Sequence, residues 1–301
     1  MQSSKSLNKE QGLFGSLGDK LTDYNLLVKF KLNLTVVFSA IMAYLIAFDG
    51  TPSWIGIALL GVGGFLVTGA ANALNQVLER DFDKMMKRTE NRPLAAGRMS
   101  VSEAVLAAGL MCMAGTFCLS IFNAWAGLLG MLSMVLYAFV YTPMKRVSTS
   151  AVAIGAIPGA LPLMIGSVAA EGTLTSLAIA LFALQFFWQF PHFFAIAWAG
   201  DEDYKRAGFH LLPNKTGALD SSVGMQSLIY ALFLVPVSFL PYLLGATGII
   251  SAIIIAISSL IYAGFGWNLY KKCTRAAALR LMFSSFVYLP LVLFALYFDK
   301  V

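Results

Sequence analysis

The sequence predicts an all-α polytopic membrane protein, with about nine transmembrane helices bundled around a central cavity that opens to the cytoplasmic side. Three observations predict it. Of 301 residues, 58% are hydrophobic and only 12% are charged, and the mean hydropathy is +0.76. Apolar runs of about 20 residues, the length that crosses a hydrocarbon core, follow one another from residue 29 to the end. The charges that do occur cluster at every second boundary between those runs. Backbone amides in lipid have no water to bond, so spans of this length must satisfy themselves as helices.

In chain order, residues 1–28 are expected to form a cytoplasmic tail and 29–298 a single transmembrane domain. The first 20 residues lack the basic start, apolar core and small-residue cleavage site of a signal peptide, so no processing is expected. Leu13, Phe14, Leu17 and Leu21 have helical spacing, which suits either a short interfacial helix or an unstructured tail. The spans are expected near 29–48, 53–78, 102–122, 125–142, 151–170, 174–199, 223–244, 247–268 and 278–298. The second carries Gly61, Gly63, Gly64 and Gly69, and the fifth carries Gly155, Gly159 and Gly166, all of which let helices approach closely. Pro158 and Pro162 in the fifth free backbone carbonyls, either toward a cavity or within ordinary packing. Cys112, Cys118 and Cys273 have no metal or redox spacing and read as unpaired thiols.

Lys5, Lys9, Lys20, Lys29 and Lys31 precede the first span. Six bases follow the second, Lys145 and Arg146 the fourth, Lys205, Arg206 and Lys215 the sixth, and Lys271, Lys272, Arg275 and Arg280 the eighth. Of the 21 Lys and Arg residues, only Lys300 lies elsewhere. The bias of Lys and Arg toward cytoplasmic loops predicts that the amino terminus and all four charged loops are cytoplasmic and the carboxyl terminus is outside. That orientation accounts for the net charge of +6, and nothing suggests nucleic acid.

The densest charge follows the second span, in NQVLERDFDKMMKRTENRPLAAGR from Asn75 to Arg98. Asn75, Glu79 and Asp83 recur at i, i+4 and i+8, so on a continuing helix they share one face, about 6 Å apart per step. Like charges at that spacing repel on an exposed helix, so the pattern predicts a cation lying on it. Mg²⁺ suits three oxygen donors, because it is commonly held by one or two carboxylates together with a substrate's phosphates. Arg80, Lys84, Lys87, Arg88, Arg92 and Arg98 suit those phosphates, although a cytoplasmic loop is basic in any case. The loop after the sixth span, within FFWQFPHFFAIAWAGDEDYKRAGFHLLP from Phe186 to Pro213, repeats the chemistry with Asp201, Glu202 and Asp203 ahead of Lys205 and Arg206. The two loops either face one cavity, where they would hold a diphosphate between metal ions, or are separate solvated surfaces. His192 sits among Trp188, Phe190, Phe193 and Phe194 in or near the membrane. An ionisable group there is a functional candidate, and a hydrogen-bonded structural histidine is the alternative. His210 reads as polar surface.

Taken together, several elements resemble the protoheme IX farnesyltransferases, or haem O synthases, a branch of the intramembrane prenyltransferases that modify aromatic acceptors. They are the spaced Asn75, Glu79 and Asp83 with Arg88-Thr89 and Asn91-Arg92-Pro93-Leu94; Tyr141-Thr142 with Lys145-Arg146; Gly155, Gly159, Pro162 and Gly166; Trp188-Gln189 with Pro191-His192-Phe193; and Asp203-Tyr204 with Ala207-Gly208 and Leu212-Pro213. The resemblance covers roughly residues 30 to 295. It implies transfer of a farnesyl group from farnesyl diphosphate to a vinyl group of haem B, with hydration, to give haem O and diphosphate. It further implies Mg²⁺ as cofactor, a bilayer setting, and room for a haem-modifying or oxidase-assembly partner. By position, it implies that Asn75, Glu79, Asp83 and Asp203 hold metal. His192 would join these four as a catalytic residue. Arg80, Lys84, Arg88, Arg92, Lys145, Arg146 and Tyr141 would contact diphosphate or haem propionates.

Glu79 stands where many relatives carry Asp, and Asp201-Glu202 stand where a base commonly precedes the Asp-Tyr pair. A prenyltransferase for a quinone or chlorophyll precursor would lack the histidine-containing aromatic run. A transporter would place ionisable groups at the middle of its spans, which are nearly free of them here. A structural assembly factor would not need metal-spaced acids.

Overall fold

The computed structural model describes residues 18–213 and 220–301. The helix considered for Leu13, Phe14 and Leu17, and the base Lys215, lie outside the described residues. Residues 18–27 are helical, the chain turns at 28–29, and nine helices long and apolar enough to cross a membrane follow among the described residues. They are α1 (Phe30–Ala47), α2 (Trp54–Asp83), α3 (Val101–Ser120), α4 (Ala124–Met144), α5 (Ala151–Glu171), α6 (Ser176–Ala199), α7 (Ser222–Leu243), α8 (Ile249–Lys272) and α9 (Arg275–Phe298). A short helix, Asp201–Arg206, follows α6.

The main departure from the expected boundaries is α2, which runs to Asp83 rather than ending near 78. Hydropathy loses sight of a helix where its residues become polar, but Asn75, Glu79 and Asp83 are buried in this one. Lys271 and Lys272 likewise belong to the last turn of α8, where cations suit the negative end of the helix dipole.

Helices α2 to α5 pack in sequence, as do α6 to α9, with α9 closing back on α6. The two groups join where α5 meets α6, and α1 lies against α2, α5 and α9. Helices α1 and α5 nearly touch: a Cβ on Gly166 would run into the carbonyl oxygen of Ala40. Lys300, among the described residues the one base away from the charged end of the bundle, donates to the carbonyls of Leu45 and Phe48 and so caps α1. The three cysteines are unpaired.

Prolines shape the interior. Pro143 has no N–H to offer the Phe139 carbonyl, and just before it Leu136–Tyr141 form a π-helical segment of α4, closed by a Thr142 N–H bond to the Tyr137 carbonyl. Such segments gather at functional sites. In α5, Pro162 deprives the Pro158 carbonyl of its helical donor, and Ser133 Oγ donates to it at 3.2 Å. Gln185 and Gln189 on α6 donate to the carbonyls of Gly159 and Ala156. One side of the α5 proline segment is thus tight packing, while Pro158, Gly159 and Pro162 also line a cavity between α1, α2, α4 and α5.

Candidate active site

The last turns of α2 carry Asn75, Glu79 and Asp83 with 1%, 4% and 1% of their surface exposed, and each meets a cation. Lys29 Nζ donates to Asn75 Oδ1 at 3.0 Å. Lys145 Nζ lies 2.6 Å from Glu79 Oε1. Arg92 Nη1 lies 2.8 Å from both oxygens of Asp83. An exposed acidic edge waiting for an external cation is therefore not what the fold builds. Carboxylates taken out of water need partners, and the chain supplies them from the end of α4 and the 84–100 loop.

The loop is held by Thr89, whose hydroxyl donates to the Asp83 carbonyl at 3.0 Å, and by the pairing of Arg98 with Asp23 at 2.8 Å. Burial works against the Lys145 ammonium, but the adjacent Glu79 outweighs it and keeps its pKa above the ordinary lysine value. At Lys29 burial dominates, and Arg92 and Lys145 add to it. Its pKa falls well below the usual lysine range despite Glu79 and Asp83.

The other predicted side chains separate into two groups. Tyr141 lies beneath Lys145, whose Nζ is 4.7 Å from the ring centroid. Gly155 makes room for that ring, since a Cβ there would sit 2.6 Å from Tyr141. Arg146 covers the Phe82 ring at 4.5 Å. Arg88 donates to the Tyr204 hydroxyl at 3.3 Å, and Phe82 meets Phe209 with centroids 6.0 Å apart, so the two acid-and-base loops face each other. Arg80 and Lys84, by contrast, pair with Asp81 at 3.3 and 3.0 Å on the exposed side of the helix end. They do not join the triplet, because their positions on α2 point the other way. Asp203 pairs with Arg206, and Asp201 with Lys205 at 2.7 Å.

Among the described residues, no three His, Cys, Asp or Glu side chains gather closely enough to hold an ion. The donor chemistry nevertheless fits Mg²⁺: an amide oxygen and two carboxylates on one helix face, with the remaining positions left for phosphate oxygens.

Beneath this cationic end, Tyr137 and Asn72 begin the cavity noted above. It shares Val36, Val67, Thr68, Ser133 and Pro162 with a second one that reaches Leu60, Leu119 and Ile165. From Asn72 to Leu60 the slot follows α2 for about 18 Å at 1.5 Å per residue.

His192 lies elsewhere, between α6 and α9. Its ring stacks on Trp188 at 4.8 Å, and its Nδ1 is 2.7 Å from Ser285 Oγ. The Ser285 hydroxyl is committed as donor to the Met282 carbonyl, so it accepts from His192 Nδ1–H. In the neutral ring this leaves Nε2 with its lone pair.

Lys29, Asn72, Gln76, Tyr137 and Thr142 were not among the predicted site residues. The one hint in the sequence was that Asn72 and Gln76 interrupt an apolar run on either side of Asn75, the first member of the triplet.

The pattern of the UbiA prenyltransferase family matches residues 36–289. The chain is 46% identical to a protein of Cytophaga hutchinsonii named protoheme IX farnesyltransferase, over 92% of this chain and 97% of that one. It is 40% identical to a Christiangramia forsetii protein of the same name, over 93% and 94%. A solved structure of digeranylgeranylglyceryl phosphate synthase superposes with a TM-score of 0.78 at 20% identity, covering 93% of this chain and 98% of that one. A UbiA homologue from Archaeoglobus fulgidus bound to GPP and Mg²⁺ gives 0.63 at 16% identity, over 91% and 99%. The chain is a multi-pass membrane protein.

Proposed function

The chain belongs to the UbiA prenyltransferase family, and from that premise we propose that it is a transferase that moves a farnesyl group from farnesyl diphosphate onto a vinyl group of haem B to make haem O. The observation that carries this reading is an end-to-end polarity. Buried acids and paired cations close one end of an apolar slot, which suits an amphiphile with a charged head and an isoprenoid tail. The relatives named for the reaction supply the acceptor.

Asn75, Glu79 and Asp83 would hold Mg²⁺, with Asp203 reaching it from the facing loop. The ion would supply positive charge to the departing diphosphate. Arg92, Lys145 and Arg88 bind the phosphate oxygens, and Tyr141 keeps Lys145 in place. As the allylic carbon–oxygen bond breaks, its electron pair leaves on the diphosphate, whose growing charge these side chains stabilise. The slot keeps water from the allylic cation. The vinyl π pair then forms the new carbon–carbon bond. Water adds to the carbon beside the porphyrin ring and loses a proton, leaving a hydroxyl. His192 lies on the acceptor side, where a neutral imidazole with a free Nε2 lone pair can ligate haem iron or take that proton.

The charge asymmetry supports a cytoplasmic position for the metal end of the bundle, and residues 29–298 would act as one domain. Purified protein incubated with labelled farnesyl diphosphate, Mg²⁺ and either haem B or a quinone precursor tests the assignment. Label entering only the quinone precursor overturns it.

A further inference from the structure

Lys29 is the cation at the site that sequence patterning gave no reason to single out. Its backbone is left-handed, at φ 51° and ψ 58°, a conformation uncommon for residues other than glycine. The turn that imposes it is built rather than loose. Gln76 Nε2 donates to the carbonyls of Leu26 and Leu27 at 2.8 and 2.9 Å, and Asn72 Nδ2 donates to that of Val28 at 3.2 Å. Both amides are buried on α2, and they take up the carbonyls freed where the 18–27 helix breaks from α1. That helix is latched to the next cytoplasmic-end loop and α3 by Asp23 with Arg98 and by Lys20 with Glu103.

The result turns a surface lysine inward. Lysines at a membrane boundary ordinarily extend their ammonium toward water, and the neighbouring Lys31 is exposed. Lys29 Nζ instead reaches Asn75 Oδ1 at 3.0 Å and the Tyr137 hydroxyl at 3.5 Å. The amide of Asn75 is oriented by its other end. Thr142 Oγ1 donates to the Tyr137 carbonyl at 2.9 Å, so it accepts from Asn75 Nδ2 at 3.0 Å. Asn75 Oδ1, the atom a metal ion would use, is therefore the one that Lys29 holds.

We propose that the Lys29 amine competes with the metal for Asn75 Oδ1 and, once displaced, binds the diphosphate of the allylic donor. The inference rests on the functional reading above for the identity of that donor. It makes Lys29 a link between metal entry and diphosphate capture: the ion that takes Asn75 releases the amine within reach of the phosphates. The built turn keeps the lysine stem from retreating to the surface.

Calorimetric binding of farnesyl diphosphate, titrated against Mn²⁺ in nanodiscs, tests this for the wild type, Lys29→Met and Lys29→Gly. The glycine variant accommodates the positive φ and guards against a misfolded methionine variant. In both variants, farnesyl diphosphate affinity at saturating Mn²⁺ should drop about tenfold, and the Mn²⁺ concentration that half-saturates this binding should fall about tenfold, because the competitor for Asn75 is gone. Affinity and metal requirement both within twofold of wild type in the glycine variant overturn the proposal. So does lost affinity with an unchanged or raised metal requirement, which is the pattern of a lysine that only supports the fold. If the wild type binds farnesyl diphosphate but leaves haem B unmodified, the functional reading falls and these binding ratios still decide the role of Lys29.

Discussion

Asp83 and Arg92 give the sharpest test of how the acidic motif is built. With 1% of the Asp83 side chain and 16% of the Arg92 side chain exposed, Asp83→Asn leaves a largely buried guanidinium without its counter-charge. Removing one partner of a buried pair costs about 3–5 kcal/mol. Asparagine keeps an acceptor oxygen and Arg92 retains some access to water, so the loss should sit at the low end, about 3 kcal/mol. That is roughly a hundredfold in the folding equilibrium. Adding Arg92→Met removes the orphaned charge, and the double variant should recover about 2 kcal/mol, within the coupling expected of residues in contact. Unfolding in mixed micelles on titration with SDS measures all four proteins of the cycle. Farnesyl transfer should stay abolished in the double variant, because restored folding does not restore a carboxylate for metal. If the single variant unfolds within about 0.5 kcal/mol of wild type, the pair is not buried in the sense argued. If the double variant keeps activity within about threefold, Asp83 is not part of the chemistry.

Three further outcomes are expected. Thr68→Phe places a ring in the slot shared by both cavities and should lower kcat/KM for farnesyl diphosphate at least about tenfold relative to geranyl diphosphate, as measured by competing the two donors; an unchanged ratio would mean that the chain lies elsewhere. His192→Ala should alter the haem B absorption spectrum or weaken haem binding while leaving farnesyl diphosphate affinity unchanged, and Ser285→Ala, which loses the acceptor for Nδ1–H, should give a weaker version of the same change. Reporters fused after residues 98 and 146 should read as cytoplasmic, and a periplasmic signal at either would reverse the orientation.

What the sequence disclosed and what it hid follow from different physics. A three-step oxygen-donor pattern on a helix needs only periodicity to be seen, so Asn75, Glu79 and Asp83 stood out although the helix carrying them ran five residues past the apolar limit at 78. Their burial did not stand out, because it depends on Lys29 and Lys145 arriving from distant segments and on the 84–100 loop folding Arg92 back onto Asp83, and no local pattern encodes an ion pair between residues 79 and 145. Arg80 and Lys84 were read with the site because they are near it in sequence. On a helix, one residue away is about 100° away, and that rotation gives them to Asp81 instead.

Lys29 shows the limit most clearly. In sequence it is one more base before a span, indistinguishable from Lys31, which points outward. What separates them is a left-handed backbone at a single residue, and that conformation exists only because Asn72 and Gln76 on another helix supply donors for the carbonyls the break exposes. Had α2 carried leucines at 72 and 76, the same lysine would have no reason to turn inward, since the Leu27 and Val28 carbonyls would lose the donors that these amides supply. Two amides one turn apart, on either side of the first member of a metal-spaced triplet, therefore help fix where a lysine amine stands, and a search for such amides is a way to find inward-facing bases that charge patterning alone assigns to the surface.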